Sequence, residues 1–551
     1  MQQAREAERR LAEGQSHPLL GVPFAIKDNI DMCGYPTTAG CPAFSYRPPR
    51  SATVVHKLLE AGAIAVGKTN LDQFATGLNG TRSPYGTPRN PFDAKYIPGG
   101  SSSGSAAAVS AGLVSFALGT DTAGSGRVPA AFNNIVGLKP SCGRLSTAGV
   151  VPACRSIDCV SIFALTCFDA AAAMQAAAGF DPQDPYSRNE CELSVTARTL
   201  PDGFRFGVPT DENLRFFQDA DCPALYRQAI ARLEAMGGKA VTIDLAPFLE
   251  AGALLYDGPW VGERLAGLRD FISDQPDALL PITRNILQSG RRFDGVAAFD
   301  GAHELRTLRC ITRQQWAKMD VLLLPTAGTI YSLAEIQAQP LVRNANLGYY
   351  TTFLNLLDLT AVAVPAGFRG DGLPFGVSLI GQAGQENALL ELGDRLHRRA
   401  EFGPGAAGYP FPPPSPMPAV GPPMVKLAVV GAHLSGQPLN GQLTSLDARL
   451  VRQCRTAPSY RLFALANTKP PKPGLERTAD GVGAPIAVEV WEMTAAAFGT
   501  FVAAIPAPMG IGAVKLEDGE EVKGFICEPI ALAGARDITS FGGWLNYLRS
   551  Q

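Results

Sequence analysis

Along most of the chain, short apolar runs alternate with longer stretches in which apolar side chains return at helical spacing. The first pattern belongs to strands buried on both faces and the second to helices with one face inward, so their alternation predicts an α/β fold. Helical spacing is found over residues 1–14, 54–61, 106–112, 167–178, 222–236, 260–273, 301–319 and 387–400. Strand runs fall at 19–29, 64–66, 115–119, 204–208, 240–245, 321–324, 361–364 and 376–380. The expected architecture is a large, mixed, twisted sheet covered by helices.

The pattern changes at residue 402. Residues 402–423 are dense in Pro and Gly and include Phe411-Pro412-Pro413-Pro414, a composition that resists helix and central strand alike and reads as a semi-rigid linker. Beyond it, short apolar strands at 425–432, 460–465, 486–492, 512–516 and 522–527, with a helix near 541–549, predict a smaller α+β domain. The expected organisation is a catalytic domain over 1–401, a linker over 402–423 and a second domain over 424–551.

Composition narrows the function classes. A chain of 551 residues with 46% hydrophobic and 18% charged residues is globular and too long for one ordinary core. A net charge of -2 gives no reason to expect nucleic acid or an anionic membrane as partner, which leaves small molecules or other subunits. The 11 cysteines are scattered and include no Cys-x-x-Cys pair, against both a disulfide framework and a structural zinc site. A reducing cytoplasm is the expected setting, with neither cofactor nor metal. The charged start of the chain is unlike a signal peptide, and no apolar run reaches membrane-spanning length.

The least ordinary stretches are Gly99-Gly100-Ser101-Ser102-Ser103-Gly104-Ser105 and Asp121-Thr122-Ala123-Gly124-Ser125-Gly126-Arg127. Glycines beside serines let the backbone approach a ligand closely while hydroxyls and N–H groups point at it, which suits an anion or oxyanion. Both runs are expected as loops held by rigid elements. Two motif matches mislead. Gly62-Ala63-Ile64-Ala65-Val66-Gly67-Lys68-Thr69 fits the phosphate-loop pattern, but its middle positions are strand-like and expected to be buried, so they cannot cradle phosphate. Gly100-Ser101-Ser102-Ser103-Gly104 fits a nucleophile elbow around Ser102, which needs a positioned histidine. Of His17, His56, His303, His397 and His433, none has such a setting, and the basic run around His397 reads as a solvated face.

Without histidine, a neutral lysine is the next base. Lys27 follows Val22-Pro23-Phe24-Ala25-Ile26, and a lysine at the end of a buried strand loses hydration and releases its proton more easily, although this stretch alone favours the plainer reading, an edge lysine paired with Asp28 or Asp31. The segment from Gly99 to Lys139, with Gly21-Val22-Pro23-Phe24-Ala25-Ile26-Lys27-Asp28, resembles the amidase signature family over about the first 400 residues. That resemblance implies a Ser-cisSer-Lys triad with Ser125 as nucleophile, Ser101 as bridging serine and Lys27 as base. It also implies an oxyanion hole from the N–H groups of Thr122, Ala123, Gly124 and Ser125, with Ser102, Asp121 and Arg127 in support. It further implies that a helical region ordinarily precedes the Lys27 strand.

Ala123, Gly126 and Ser103 depart from the commonest family pattern and resemble the allophanate hydrolase branch. The segment Leu255-Tyr256-Asp257-Gly258-Pro259-Trp260-Val261-Gly262-Glu263-Arg264 is similar to that branch's substrate segment, implying that Tyr256 and Arg264 bind substrate. The C-terminal domain resembles the extra domain of the same branch, similar in fold to γ-glutamyl cyclotransferases, and His433 matches a position proposed there for decarboxylating the first product. The implied activity is hydrolysis of allophanate to ammonia and carbon dioxide by a homodimer that docks with other enzymes of its pathway. The alternatives are the glutamine-hydrolysing subunit of a tRNA-dependent amidotransferase, an amidase of another small amide, and a second domain that only scaffolds.

Overall fold

The computed structural model describes residues 2–15, 19–189, 193, 200–400, 402–418, 424–466, 468–479 and 481–551. The chain divides into two compact units, one formed by Met1–Thr199 with Gly203–Val420 and the other by Leu200–Asp202 with Gly421–Gln551.

The first unit is built on a ten-stranded sheet. Its strands are β1 (Pro23–Lys27), β2 (Ile64–Thr69), β3 (Phe116–Asp121), β4 (Val136–Lys139), β5 (Cys159–Ala164), β6 (Arg205–Pro209), β7 (Lys239–Ile243), β8 (Val321–Pro325), β9 (Leu359–Phe368) and β10 (Pro374–Gln382). They lie in the order β2-β1-β3-β5-β4-β9-β10-β8-β6-β7. Parallel pairs occupy both ends, and the middle, from β3 to β8, is antiparallel. Every residue of β3, β4, β5 and β8 is buried, so these strands show no alternation of apolar and polar positions.

Helices cover the sheet with starts set by local chemistry. Thr166 caps Cys167–Ala177 by accepting from Asp169 N–H, Asp294 caps Gly295–Trp316 through Ala297 N–H, and Ser332 with Glu335 forms a capping box on Leu333–Ala338. The small-residue helix begins at Ser103 and ends at Ser110, so the first Ser/Gly run is not wholly a loop. The phosphate-loop match is the edge strand β2, but Val66 is 60% exposed because an edge strand covers only part of itself. The expected burial of those positions is therefore corrected, while their strand character remains.

The solvated face expected around His397 does not form. His397 has no exposed surface, because Phe402 and Phe411 from the Pro/Gly-rich stretch close over its ring at 6.4 and 4.6 Å. Burial pushes its imidazole down to about 3, so the ring is neutral. The stretch itself is stitched to the first unit: Gly405 N–H donates to Asn134 O at 2.7 Å, Ala406 N–H donates to Ser110 O at 2.8 Å, and Arg398 donates to Pro412 O at 2.7 Å.

The second unit holds β11 (Met424–Val429), β12 (Arg449–Arg455), β13 (Tyr460–Ala464), β14 (Pro473–Arg477), β15 (Ala487–Thr494), β16 (Met509–Lys515), β17 (Glu521–Cys527) and β18 (Arg536–Asp537). A five-stranded sheet runs β12-β15-β11-β17-β16 and a three-stranded one β14-β13-β18. Leu427, Val490, Trp491, Phe501, Phe525 and Trp544 share its core. No helix among the described residues is long and apolar enough to cross a membrane.

Candidate active site

Strands β1 and β3 are parallel neighbours with Ile26 opposite Leu118, so their carboxyl ends open side by side, where α/β sheets place ligands. The first strand ends in Lys27 and the second in Thr120 and Asp121. Lys27 has no exposed surface, and its Nζ is hydrogen-bonded to Ser101 Oγ at 2.8 Å and to Thr120 Oγ1 at 2.7 Å. Ser101 Oγ is hydrogen-bonded in turn to Ser125 Oγ at 2.9 Å, and the peptide bond preceding Ser101 is cis. Burial pushes the Lys27 amine down to about 7 against the pull of Asp72, Asp121 and Asp158, so a neutral amine able to accept a proton is available near neutrality. The alternative pairing does not form: Asp28 pairs with Lys68 at 3.1 Å, and Asp31 accepts from Thr37 and Tyr46.

The turn after β3 is organised by one buried ion pair. Asp121 Oδ1 accepts from Gly124 N–H and Oδ2 from Gly126 N–H, each at 2.9 Å. Arg127 donates to both oxygens of that carboxylate at 2.9 Å and also to Thr351 O at 3.0 Å. Burial opposes the Asp121 charge, yet Arg127 outweighs it and holds the carboxyl below its ordinary range. Because Gly124 N–H is committed to Asp121, it is withdrawn from the set expected to face an oxyanion. Gly124 has φ +140, and a Cβ there would come within 2.3 Å of Thr351 Oγ1. At Gly126 a Cβ would come within 2.5 Å of Ser161 Cβ on β5, so any larger side chain there would force β5 to shift. Ser102 Oγ donates to Thr120 O at 3.2 Å and braces the same strand end.

Arg264 lies in the Trp260–Asp274 helix and is 1% exposed. Its Nη1 donates to Thr76 Oγ1 at 3.4 Å, its guanidinium stands 5.2 Å from the centre of the Tyr256 ring, and its Nε and Nη2 have no partner among the described residues. Burial opposes the charge, but Tyr256, Cys154 and Asp158 hold the proton more tightly than usual. Arg264 and Lys27 are within electrostatic reach of each other. A fully buried cation with unpartnered donors has the chemistry to receive an anion.

Reasoning from sequence missed several contributors. Thr120 accepts from Lys27 and from Asn29 Nδ2, and Asn355 Nδ2 donates to Asp121 O at 2.8 Å. Asp158 accepts from the Thr122 hydroxyl, and burial pushes its carboxyl up to about 6. None carries a local signal, since each acts through a partner distant in the chain. Among the other histidines, His56 and His303 are exposed, and His17 lies outside the described residues.

His433 belongs to the second unit, where it stacks on Phe525 at 5.1 Å and its Nε2 is hydrogen-bonded to Gln442 Oε1 at 2.9 Å. It borders a cavity of about 220 Å³ that Lys469, Lys472, Phe501 and Phe525 also line. Burial lowers its proton affinity.

Comparison with known proteins places this geometry. The family model described as Amidase matches residues 1–390, and the one described as Allophanate hydrolase C-terminal domain matches 425–549. The urea amidolyase of Lachancea kluyveri is 44% identical over 98% of this chain, and the chain spans 30% of that protein's length. The allophanate hydrolase structure of Kluyveromyces lactis superposes with a TM-score of 0.76 at 42% identity, covering 99% of this chain and 91% of that one. A glutamyl-tRNA(Gln) amidotransferase subunit from Desulfatibacillum aliphaticivorans is 34% identical over 73% of this chain and 88% of its own. The amidase model covers more than half of the chain, Lys27, Ser101 and Ser125 included, so the chain belongs to the amidase family, with an allophanate hydrolase C-terminal domain matched over residues 425–549.

Proposed function

We propose that this chain hydrolyses allophanate, releasing ammonia from its terminal amide through Ser125, Ser101 and Lys27. The observation that carries the substrate is Arg264, a fully buried guanidinium with two unpartnered donor atoms beside Tyr256. Such a group suits one small carboxylate, and allophanate joins a carboxylate to a ureido amide.

Neutral Lys27 accepts the Ser101 proton as Ser101 accepts that of Ser125, and Ser125 Oγ bonds to the amide carbon. The carbonyl oxygen becomes an oxyanion received by the N–H groups of Thr122, Ala123 and Ser125. Collapse breaks the C–N bond, with the proton returned from Lys27 through Ser101 to the leaving nitrogen, which departs as ammonia. Water then attacks the acyl-enzyme by the same relay, freeing Ser125 and N-carboxycarbamate. In the second unit, Lys469, Lys472 and His433 line a cavity suited to that small dianion, and loss of carbon dioxide there takes up one proton on nitrogen, with His433 the group beside it.

The test is ammonia release from allophanate, biuret and glutamine by the purified chain. Allophanate should be strongly preferred, and Ser125→Ala should lose ammonia release without losing the fold. Preference for glutamine would instead favour membership of an amidotransferase complex. Retention of more than about 1% of activity in Ser125→Ala would exclude Ser125 as nucleophile, given the losses of about 10³ or more that follow removal of such groups.

A further inference from the structure

Between the turn that presents Ser125 and the helix that carries Arg264 lies a loop, residues 152–158, whose last residue precedes β5. Asp158 is 7% exposed and receives donors from both directions. The Thr122 hydroxyl donates to Oδ1, Ala153 N–H donates to Oδ2 at 2.7 Å, and Cys154 N–H reaches both oxygens at 3.1 Å. The same loop is fastened to the helix. Cys154 Sγ donates to Trp260 O at 3.3 Å, while the N–H and hydroxyl of Ser156 donate to the carboxylate of Glu263, next to Arg264, at 2.8 and 2.7 Å.

One carboxylate therefore ties the turn through Thr122 and, through the loop it closes, the helix bearing Arg264. We propose that Asp158 is a positioning residue that sets the spacing between the oxyanion turn and Arg264, so that the carbonyl and the carboxylate of one short acid engage both at once. The Arg264 end of this proposal rests on the allophanate reading; the Thr122 end applies to any amide. The physical need is plain: allophanate is short and conjugated, so it cannot stretch to a misplaced partner, and an error of about 1 Å can cost about 100-fold in rate.

The test uses the full chain and four variants, Thr122→Val, Thr122→Ser, Asp158→Asn and the double Thr122→Val/Asp158→Asn. Thr122→Val keeps the backbone N–H and the shape but removes the donor, and should lower kcat roughly 10- to 100-fold on allophanate and biuret alike, with KM little changed. Thr122→Ser should restore most of the rate, which a packing role for the methyl group would not do. Asp158→Asn should in addition collapse the allophanate-to-biuret preference, and the double variant should be no slower than Asp158→Asn alone. Additive losses, a Thr122→Ser variant as slow as Thr122→Val, or an unchanged preference in Asp158→Asn would overturn the proposal. If Asp158→Asn fails to fold, the Thr122 pair still decides, because it leaves the carboxylate in place. A wild-type chain that cleaves biuret but not allophanate sinks the substrate reading alone, and the Thr122 pair read on biuret then decides the role of Asp158 in the turn.

Discussion

Lys27→Met keeps the length of the side chain and removes the amine, and its consequences can be worked from burial. A fully buried amine held near 7 rather than 10.5 has lost three to four powers of ten in proton affinity. At about 1.36 kcal/mol per power of ten, this is roughly 5 kcal/mol between the charged and neutral forms in the folded state. The sign follows from proton binding. Between about 7 and 10.5 the unfolded chain holds a proton on Lys27 that the folded chain lacks, so raising pH across that window stabilises the fold. The contribution is full above the unfolded value and is lost as pH falls through about 7. Urea unfolding of wild type and Lys27→Met across roughly pH 6 to 11 isolates this group, since other titrations cancel in the difference. The wild type should gain up to roughly 5 kcal/mol on the variant as pH rises through the window. In parallel, kcat/KM of the wild type should climb with pH to a plateau with a midpoint near 7, reporting the free enzyme. A pH-independent stability difference, or a rate with no acid limb near neutrality, would refute a buried, neutral Lys27.

Arg264→Ala should lower kcat/KM for allophanate by about 1.5–3 kcal/mol while barely changing that for biuret, measured by ammonia release. Equal losses would move carboxylate recognition to Arg82, which is buried, donates from Nη1 to Thr76 O and has its Nε unpartnered. Gly126→Ile should cut soluble yield and Tm because its Cβ meets β5, and a folded, active variant would contradict the close approach to Ser161. Asp121→Asn leaves Arg127 buried beside a neutral amide and should destabilise by about 3–5 kcal/mol in urea titration; a change under about 1 kcal/mol would show that the pair does not organise the turn.

What could be read in the sequence is what depends on neighbours along the chain. The apolar run Val22 to Ile26 announces a buried strand, and with it an unusual Lys27; the two Ser/Gly runs announce close backbone approach. Their order along the chain carries the family resemblance, and the fold brings Lys27, Ser101 and Ser125 within hydrogen-bonding distance. What could not be read depends on which distant segment arrives. Val66 and Leu118 sit in similar apolar runs, but one strand lies at the sheet's edge and the other in its middle. His397 stands in a basic helix and is covered only because Phe402 and Phe411 fold back over it. Arg264 is buried against Thr76, far away in sequence, and Asp158 matters through Thr122. The strands Val136–Lys139 and Cys159–Ala164 are not among the runs the pattern predicts, because segments of four to six residues with interrupting Gly, Ser or Lys show too little periodicity to be told from buried helix.

The stitching of the Pro/Gly-rich stretch changes where the first unit can be cut. Composition shifts at residue 402, but Gly405 and Ala406 cap the Asn134 and Ser110 carbonyls, Asn134 Nδ2 reaches back to Gly403 O and Gly405 O, and Phe411 roofs His397. A protein engineer who trims at the change in composition removes the far anchor of the helix that starts two residues after Ser101. The neutral ring of His397 would then meet water as well. In fusions of this chain the safe joint therefore lies beyond Phe411, and a proline-rich composition here marks a fastening rather than a hinge.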